Sequence, residues 1–179
     1  MSADLAARQS EFRNCFHLTS RRVYAYVRRH CDESDCDDVI AEVYLAAWRH
    51  FAELPTDPVP WLIGTARKVL ANHWRSRGRR QRLAVDVAGI QSMAAPDLAD
   101  QAIDRLTLVN ALAKLSEQDR DLLLMVGWDG LDTDGVAAAL DCSADAARTR
   151  LSRARRRLLA HLDQSEPAPL QHSATSEGH

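Results

Sequence analysis

Ile40, Val43, Tyr44, Ala47, Trp48 and Phe51 fall at i, i+3, i+4, i+7, i+8 and i+11. An α-helix puts those offsets on one side because a turn takes 3.6 residues, whereas a strand would divide them between two faces. The spacing predicts a helix over residues 34 to 52, with Ser34 as its cap and Asp37 three positions on completing a variant capping box. Such a stripe has to be buried against others of its kind. Phe12, Phe16, Val23, Tyr26 and Val27 supply one, on a helix from Ala3 to about His30 with an expected break near Leu18 to Ser20. Trp61, Leu62, Ala66, Val69, Leu70 and His73 supply another, on a helix opened by Asp57 and Pro58 and running to about Arg80. Aromatic residues are only 6% and glycine and proline are few, so the expectation is an all-α fold.

Periodicity and charge density both lapse over residues 83–99, which read as a flexible linker. Helical patterning resumes with Ile103, Leu106, Val109, Leu112 and Leu115, and Ser116 with Asp119 forms a further capped start. "TDGVAAAL" and "ADAARTRLSRARRRLLAHL" are then two amphipathic helices separated by Asp141, Cys142 and Ser143. Ser143 is a good N-cap, and so short a turn between two helices is a helix-turn-helix pattern. The expected organisation is a helical domain over 1–82, the linker at 83–99, a second helical domain over 100–162 and a disordered tail at 163–179. A chain of 179 residues is long enough to give each of the two small domains a core.

Net charge is only -2, but it is unevenly distributed. Acids crowd "DESDCDDVIAE", while Arg67 to Arg82 holds seven basic residues and no acid. Between Arg148 and Leu162 stand six arginines and again no acid. On that last helix Ala147, Leu151, Ala154, Leu158 and Leu162 form the apolar stripe. Arg148, Thr149, Ser152, Arg153 and Arg156 lie away from it, near the N-terminal half of the helix. In a helix-turn-helix the second helix presents its N-terminal residues to base edges in the major groove, where arginine pairs with guanine or holds phosphate. The simpler reading, a solvated basic face, loses ground because a capped turn and a short helix precede it.

The ordered motifs then narrow the reading. "DESDCDDVIAEVYLAAWRHF" is similar to the segment of sigma region 2 written D-x-x-D-x-x-Q-E-x-[FY]-x-x-x-W, and "PWLIGTARKVLANHWRSRGRR" to the helix that follows it. "LAKLSEQDRDLLLMVGWDGLDTDGVAAALDCSADAARTRLSRARRRL" is similar to region 4. Over residues 10 to 162 the chain resembles an extracytoplasmic-function (ECF) sigma factor. The resemblance implies a factor that binds core RNA polymerase, directs it to a specific promoter class and promotes melting of the minus-10 element. It implies that Asp38 and Glu42 dock on core polymerase, though helix capping and solubility are their plainer uses. Arg67, Lys68, Asn72, His73, Arg75, Arg77, Arg79 and Arg80 would meet minus-10 DNA, where cations track phosphates and polar groups meet unstacked bases. Trp61 and Trp74 are either stacking platforms or core. Arg148, Thr149, Arg150, Ser152, Arg153 and Arg156 would meet the minus-35 element. The partners implied are core polymerase, promoter DNA and an inhibitory anti-sigma factor.

Ala41, Lys68 and Asn72 depart from the family pattern in region 2, as do Gly135, Asp141 and "ADAA" at 144–147 in region 4, so the promoter sequence does not carry over. Two other readings stand beside this one. A helix-turn-helix regulator acting without polymerase leaves the first basic helix and its acidic neighbour without a joint role. A Cys/His metal or redox sensor rests on Cys15, His17, His30, Cys31 and Cys36, which lack the usual zinc-ligand spacings, although Cys31 and Cys36 could form a regulatory disulfide. No catalytic motif is present, and no enzyme activity, cofactor or metal is expected. With no secretory pattern and no apolar run of membrane length, the expectation is a cytoplasmic chain without membrane insertion.

Overall fold

The computed structural model describes residues 2–76 and 101–164. The first half is built of α1 (Ser2–Arg28), α2 (Glu33–Arg49), a 3-10 turn at Phe51–Glu53 and α3 (Val59–Ser76). The second half is built of α4 (Gln101–Lys114), α5 (Glu117–Gly127), α6 (Thr133–Leu140) and α7 (Ala144–Asp163). The described residues contain no strand, as an all-α fold requires.

Where helix ends differ from the sequence expectation, local hydrogen bonding gives the reason. α1 runs unbroken through residues 18 to 20, because Thr19 turns its hydroxyl inward, donating to the Cys15 carbonyl at 2.7 Å and pairing with the Tyr44 hydroxyl at 2.8 Å. That satisfies the polar group which otherwise favours a break. α2 starts one residue early, with extended Asp32 as its N-cap rather than Ser34, and the Asp35 amide donates to the Asp32 carbonyl. Pro58 precedes the first turn of α3. Its carbonyl accepts from the Leu62 amide, while the Asp57 carboxylate accepts from the Val59 amide at 3.1 Å. α3 is described to Ser76. Its expected extension to Arg80, the linker and most of the tail lie outside the described residues.

The buried stripes are those the spacing demands. Val39, Val43, Tyr44 and Ala47 of α2 meet Val23, Tyr26 and Val27 of α1 and Leu62, Ile63, Ala66 and Leu70 of α3. Each large aliphatic side chain so buried contributes about 1.5–3 kcal/mol. Phe12 packs edge-on between Trp48 and Phe51, with ring centroids 5.1 and 5.3 Å away. Phe16 stays more exposed than its helical phase suggests.

The same core continues into the second half, taking in Leu122 and Met125 of α5, Val136, Ala137 and Ala139 of α6, and Ala147, Leu151 and Ala154 of α7. α3 and α6 touch backbone to backbone. A Cβ on Gly64 would stand 3.1 Å from the Ala139 carbonyl oxygen, and one on Gly135 would stand 3.2 Å from Pro60 Cγ. Arg120 fastens α4 to α5 by donating to the carbonyls of Leu112, Ala113 and Leu115. These are carbonyls that a helix end leaves without intrahelical partners.

Candidate nucleic-acid interface

The helix-turn-helix is α6 and α7. The Asp132 carboxylate caps α6 by accepting from the Gly135 amide at 2.7 Å, and Ser143 caps α7 by accepting from the Ala146 amide at 3.2 Å. Between them Asp141 adopts a left-handed conformation at φ 54° and ψ 51°. Its amide donates to Ala138, and the Cys142 amide donates to Ala137 at 3.0 Å, the bond pattern that ends a helix with a left-handed residue. Glycine suits that position best, and aspartate is among the few side chains that tolerate it.

α7 buries Ala147, Leu151 and Ala154, so the intervening polar positions face outward. Arg148, Thr149, Arg150, Ser152, Arg153 and Arg156 are all exposed. Arg148 carries a surface bond to Asp145 at 2.6 Å, which leaves most of its guanidinium in solvent. Arg157 is different: it reaches Asp119 at 2.6 Å and ties α7 to the start of α5.

On α2, Asp38 and Glu42 lie one turn apart on the exposed side, opposite the buried stripe. Asp35, one turn earlier, points the other way, with its carboxylate 3.1 Å from His73 Nε2. His73 is therefore held inward, against α2, while Lys68, Asn72 and Arg75 remain exposed. Asn72 accepts from Arg75 at 2.5 Å. These three line a cleft of about 510 Å³ with Gly64, Leu140 of α6 and Asp141 just beyond it, and Lys68 Nζ stands 4.0 Å from the Asp141 carboxylate. Arg77, Arg79 and Arg80 lie outside the described residues. Trp61 and Trp74 are partly buried and pack against the core.

Arg67 has a partner in the other half. Its guanidinium bonds the Asp121 carboxylate of α5 and, at 3.3 Å, the Tyr26 hydroxyl. Asp121 also faces His30 Nε2 at 3.1 Å, a close contact in which neither atom has a well-aligned hydrogen bond. Burial pushes the Asp121 carboxyl up, but His30 and Arg67 more than reverse this and hold it below the ordinary carboxylate range. Beside this group, Arg29 meets Asp129 through two hydrogen bonds, and Arg22 donates to the Asp129 carbonyl.

Sequence reasoning missed this buried set of Arg29, His30, Asp121 and Asp129. The signal was present in the helical phase: His30 continues the stripe of Val23, Tyr26 and Val27, and Asp121 lies one turn before buried Met125. A charge in phase with a buried stripe needs a partner. Among the described residues no group of three or more His, Cys, Asp or Glu is arranged to hold a metal, and no helix is long and apolar enough to cross a membrane.

Comparison with known proteins agrees with this architecture. The family model for Sigma-70 region 2 matches residues 15–80, and that for Sigma-70, region 4 matches residues 105–158. The ECF RNA polymerase sigma factor SigL of Mycobacterium tuberculosis is 30% identical over 131 residues, covering 71% of this chain and 74% of SigL. The RNA polymerase sigma factor CnrH of Cupriavidus metallidurans is 29% identical over 143 residues, covering 73% and 75%. Among solved structures, the sigma factor RpoE in complex with the anti-sigma factor NepR, from Bartonella quintana, shares the fold with a TM-score of 0.59. Its sequence identity is 21%, and the match covers 87% of this chain and 99% of RpoE. On two region matches in order and a relative aligned over most of its length, the chain belongs to the ECF RNA polymerase sigma factors, which are transcription initiation factors rather than enzymes.

Proposed function

We propose that this chain binds core RNA polymerase, brings it to one class of promoter and helps open the minus-10 element. The observation that carries the reading is the exposed arginine face of α7, set on a helix-turn-helix whose ends are capped. In this reading region 2 spans 1–82 and region 4 spans 100–162, joined by the 83–99 linker. Arg148, Arg150 and Arg153 read minus-35 base edges, with Thr149, Ser152 and Arg156 beside them on sugar and phosphate. Asp38 and Glu42 dock on a basic surface of the polymerase. Lys68, Asn72 and Arg75, with Arg77, Arg79 and Arg80 beyond them, track the minus-10 strand.

Arg67 and His73 enter that work from a different starting point, since both are engaged inside the protein. For Arg67 to meet DNA, α5 must leave it, so separation of the two halves is a step of initiation in this scheme. RpoE is solved in complex with the anti-sigma factor NepR, and CnrH with the cytosolic domain of CnrY; the first supports an inhibitory anti-sigma partner here. The site of action is the cytoplasm.

Run-off transcription with purified bacterial core polymerase and a genomic promoter library tests the proposal. Promoter-specific transcripts absent with core alone are expected, and their absence overturns it. Glu42→Arg is expected to abolish core binding while duplex binding by α7 persists; a joint loss overturns the division of labour.

A further inference from the structure

The turn between α1 and α2 brings two thiols together. Cys31 Sγ lies 3.1 Å from Cys36 Sγ, about 1 Å beyond the bond length of a disulfide. The two differ in access. Cys31 is partly exposed, whereas Cys36 is fully buried in the first turns of α2, its thiol directed at the Asp32 carbonyl at 3.3 Å. A small reagent arriving from solvent therefore meets Cys31 first and finds Cys36 directly behind it. Burial, with the neighbouring Cys36 thiol, keeps Cys31 protonated well above the usual thiol range, which makes its exchange slow at neutral pH and faster in alkaline buffer.

The residues flanking the pair give it leverage over the rest of the fold. Arg29 and His30 immediately precede Cys31 and grip Asp129 and Asp121 of the second half. Asp35 immediately precedes Cys36 and holds His73 of α3. A bond from residue 31 to residue 36 closes the short turn that joins Arg29 and His30 on one side to Asp35 within it, and so fixes the spacing between the two sets of contacts. Formed with the loop in this shape, it removes loop conformations in which those grips are lost. By linkage, a docked second half favours the bond to the same degree.

We propose that Cys31 and Cys36 are a redox-modification site that forms a reversible intramolecular disulfide, and that the oxidised form favours the arrangement in which the second half is docked on α1–α3. The co-reactant is a low-molecular-weight disulfide such as oxidised glutathione. Cys31 loses its proton to buffer and its thiolate attacks one reagent sulfur, expelling one glutathione thiolate and leaving a mixed disulfide. Cys36, likewise deprotonated, attacks the Cys31 sulfur and expels the second. The protein loses two electrons and two protons, and the reagent gains them as two thiols.

The test equilibrates the full chain in glutathione buffers of graded ratio at mildly alkaline pH, followed by acid quench, alkylation, trypsin and mass spectrometry. Both thiols fall in one tryptic peptide, His30–Arg49, since no lysine or arginine lies between Cys31 and Cys36. The expected result is conversion of that peptide from doubly alkylated to an unalkylated form two hydrogens lighter than its dithiol, with Cys36→Ser trapping a single glutathione on Cys31. A peptide that stays alkylated throughout, or that carries two glutathiones, overturns the site. For the link to docking, Asp129→Asn removes a grip and Gly64→Ala drives a methyl against Ala139. With folding checked by circular dichroism, the midpoint of each is expected to move to more oxidising buffer by about fivefold or more. An unchanged midpoint in the folded variants overturns the link, and Gly64→Ala decides alone if Asp129→Asn does not fold.

Discussion

Arg29 and Asp129 stand 100 residues apart in sequence and meet through two hydrogen bonds, Nη1 to Oδ1 at 3.0 Å and Nη2 to Oδ2 at 2.5 Å. Both side chains are only 1% exposed. A pair so deeply buried is weak evidence of net stabilisation, because desolvating both charges offsets most of their attraction. Removing one partner is another matter, since it strands the other.

Arg29→Ala is therefore expected to lower the free energy of unfolding by about 3–5 kcal/mol. Arg29→Met combined with Asp129→Leu is expected to recover most of that loss. Urea denaturation of the single and double variants checks both, and a double variant no better than the single would show that the pair does more than satisfy itself.

Gly64 sets the distance between α3 and α6. Gly64→Leu is expected to part the two halves while leaving the helices intact, because the added side chain would occupy the space of the Ala139 backbone. Small-angle scattering should then report a larger radius of gyration at unchanged far-ultraviolet circular dichroism. An unaltered radius would mean that the helices slide rather than separate.

Asp121 makes the structure sensitive to acid in a direction that follows from its carboxyl being held low. Its contribution is complete above the ordinary value of about 3.8 and disappears as the pH falls through the lower value of the folded state. Stability measured by chemical denaturation should fall on acidification through this window. The fall should be shallower in Asp121→Asn, which is less stable at neutral pH but has no carboxyl to protonate there.

On α7, Arg150→Ala and Arg153→Ala are each expected to weaken binding of a minus-35 duplex by about 1–3 kcal/mol, read by fluorescence anisotropy at fixed salt. Arg157→Ala should leave that affinity nearly unchanged and instead loosen α7 from α5, since its guanidinium is already bound to Asp119. A large affinity loss in Arg157→Ala would move the contact surface toward the C-terminal end of the helix.

The helices and their inward stripes were legible because burial at 3.6-residue spacing leaves a direct trace, as at Val39, Val43 and Ala47. The turn from Asp141 to Ser143 was legible because its capping chemistry is local. Thr19 was misread: its effect on α1 depends on the Tyr44 hydroxyl, which sequence spacing does not bring near. The docking of α6 on α3 was hidden for the same reason. Gly135 stood out only as a departure from the family pattern and Gly64 carried no signal at all, and only the fold shows each receiving the other half. For the candidate site, exposure of Asp38, Glu42 and the α7 arginines followed from helical phase alone. The engagement of Arg67 and His73 depended on partners 54 and 38 residues away.

The buried charges also bear on how the molecule finds its arrangement as it folds. Arg22, Arg29 and Arg67 reach partners 107, 100 and 54 residues away, so none of these bonds exists until both sets of helices have formed. Helices and short turns close first, and contacts of such long sequence separation come late. An apolar seam between α3 and α6 would by itself accept several registers. A slip by one helical turn, however, would bury Arg29 or Asp121 opposite a hydrocarbon wall, at a cost of several kcal/mol. The ion pairs thus act as a proofreading device in assembly, rejecting near-miss dockings that greasy surfaces alone would tolerate.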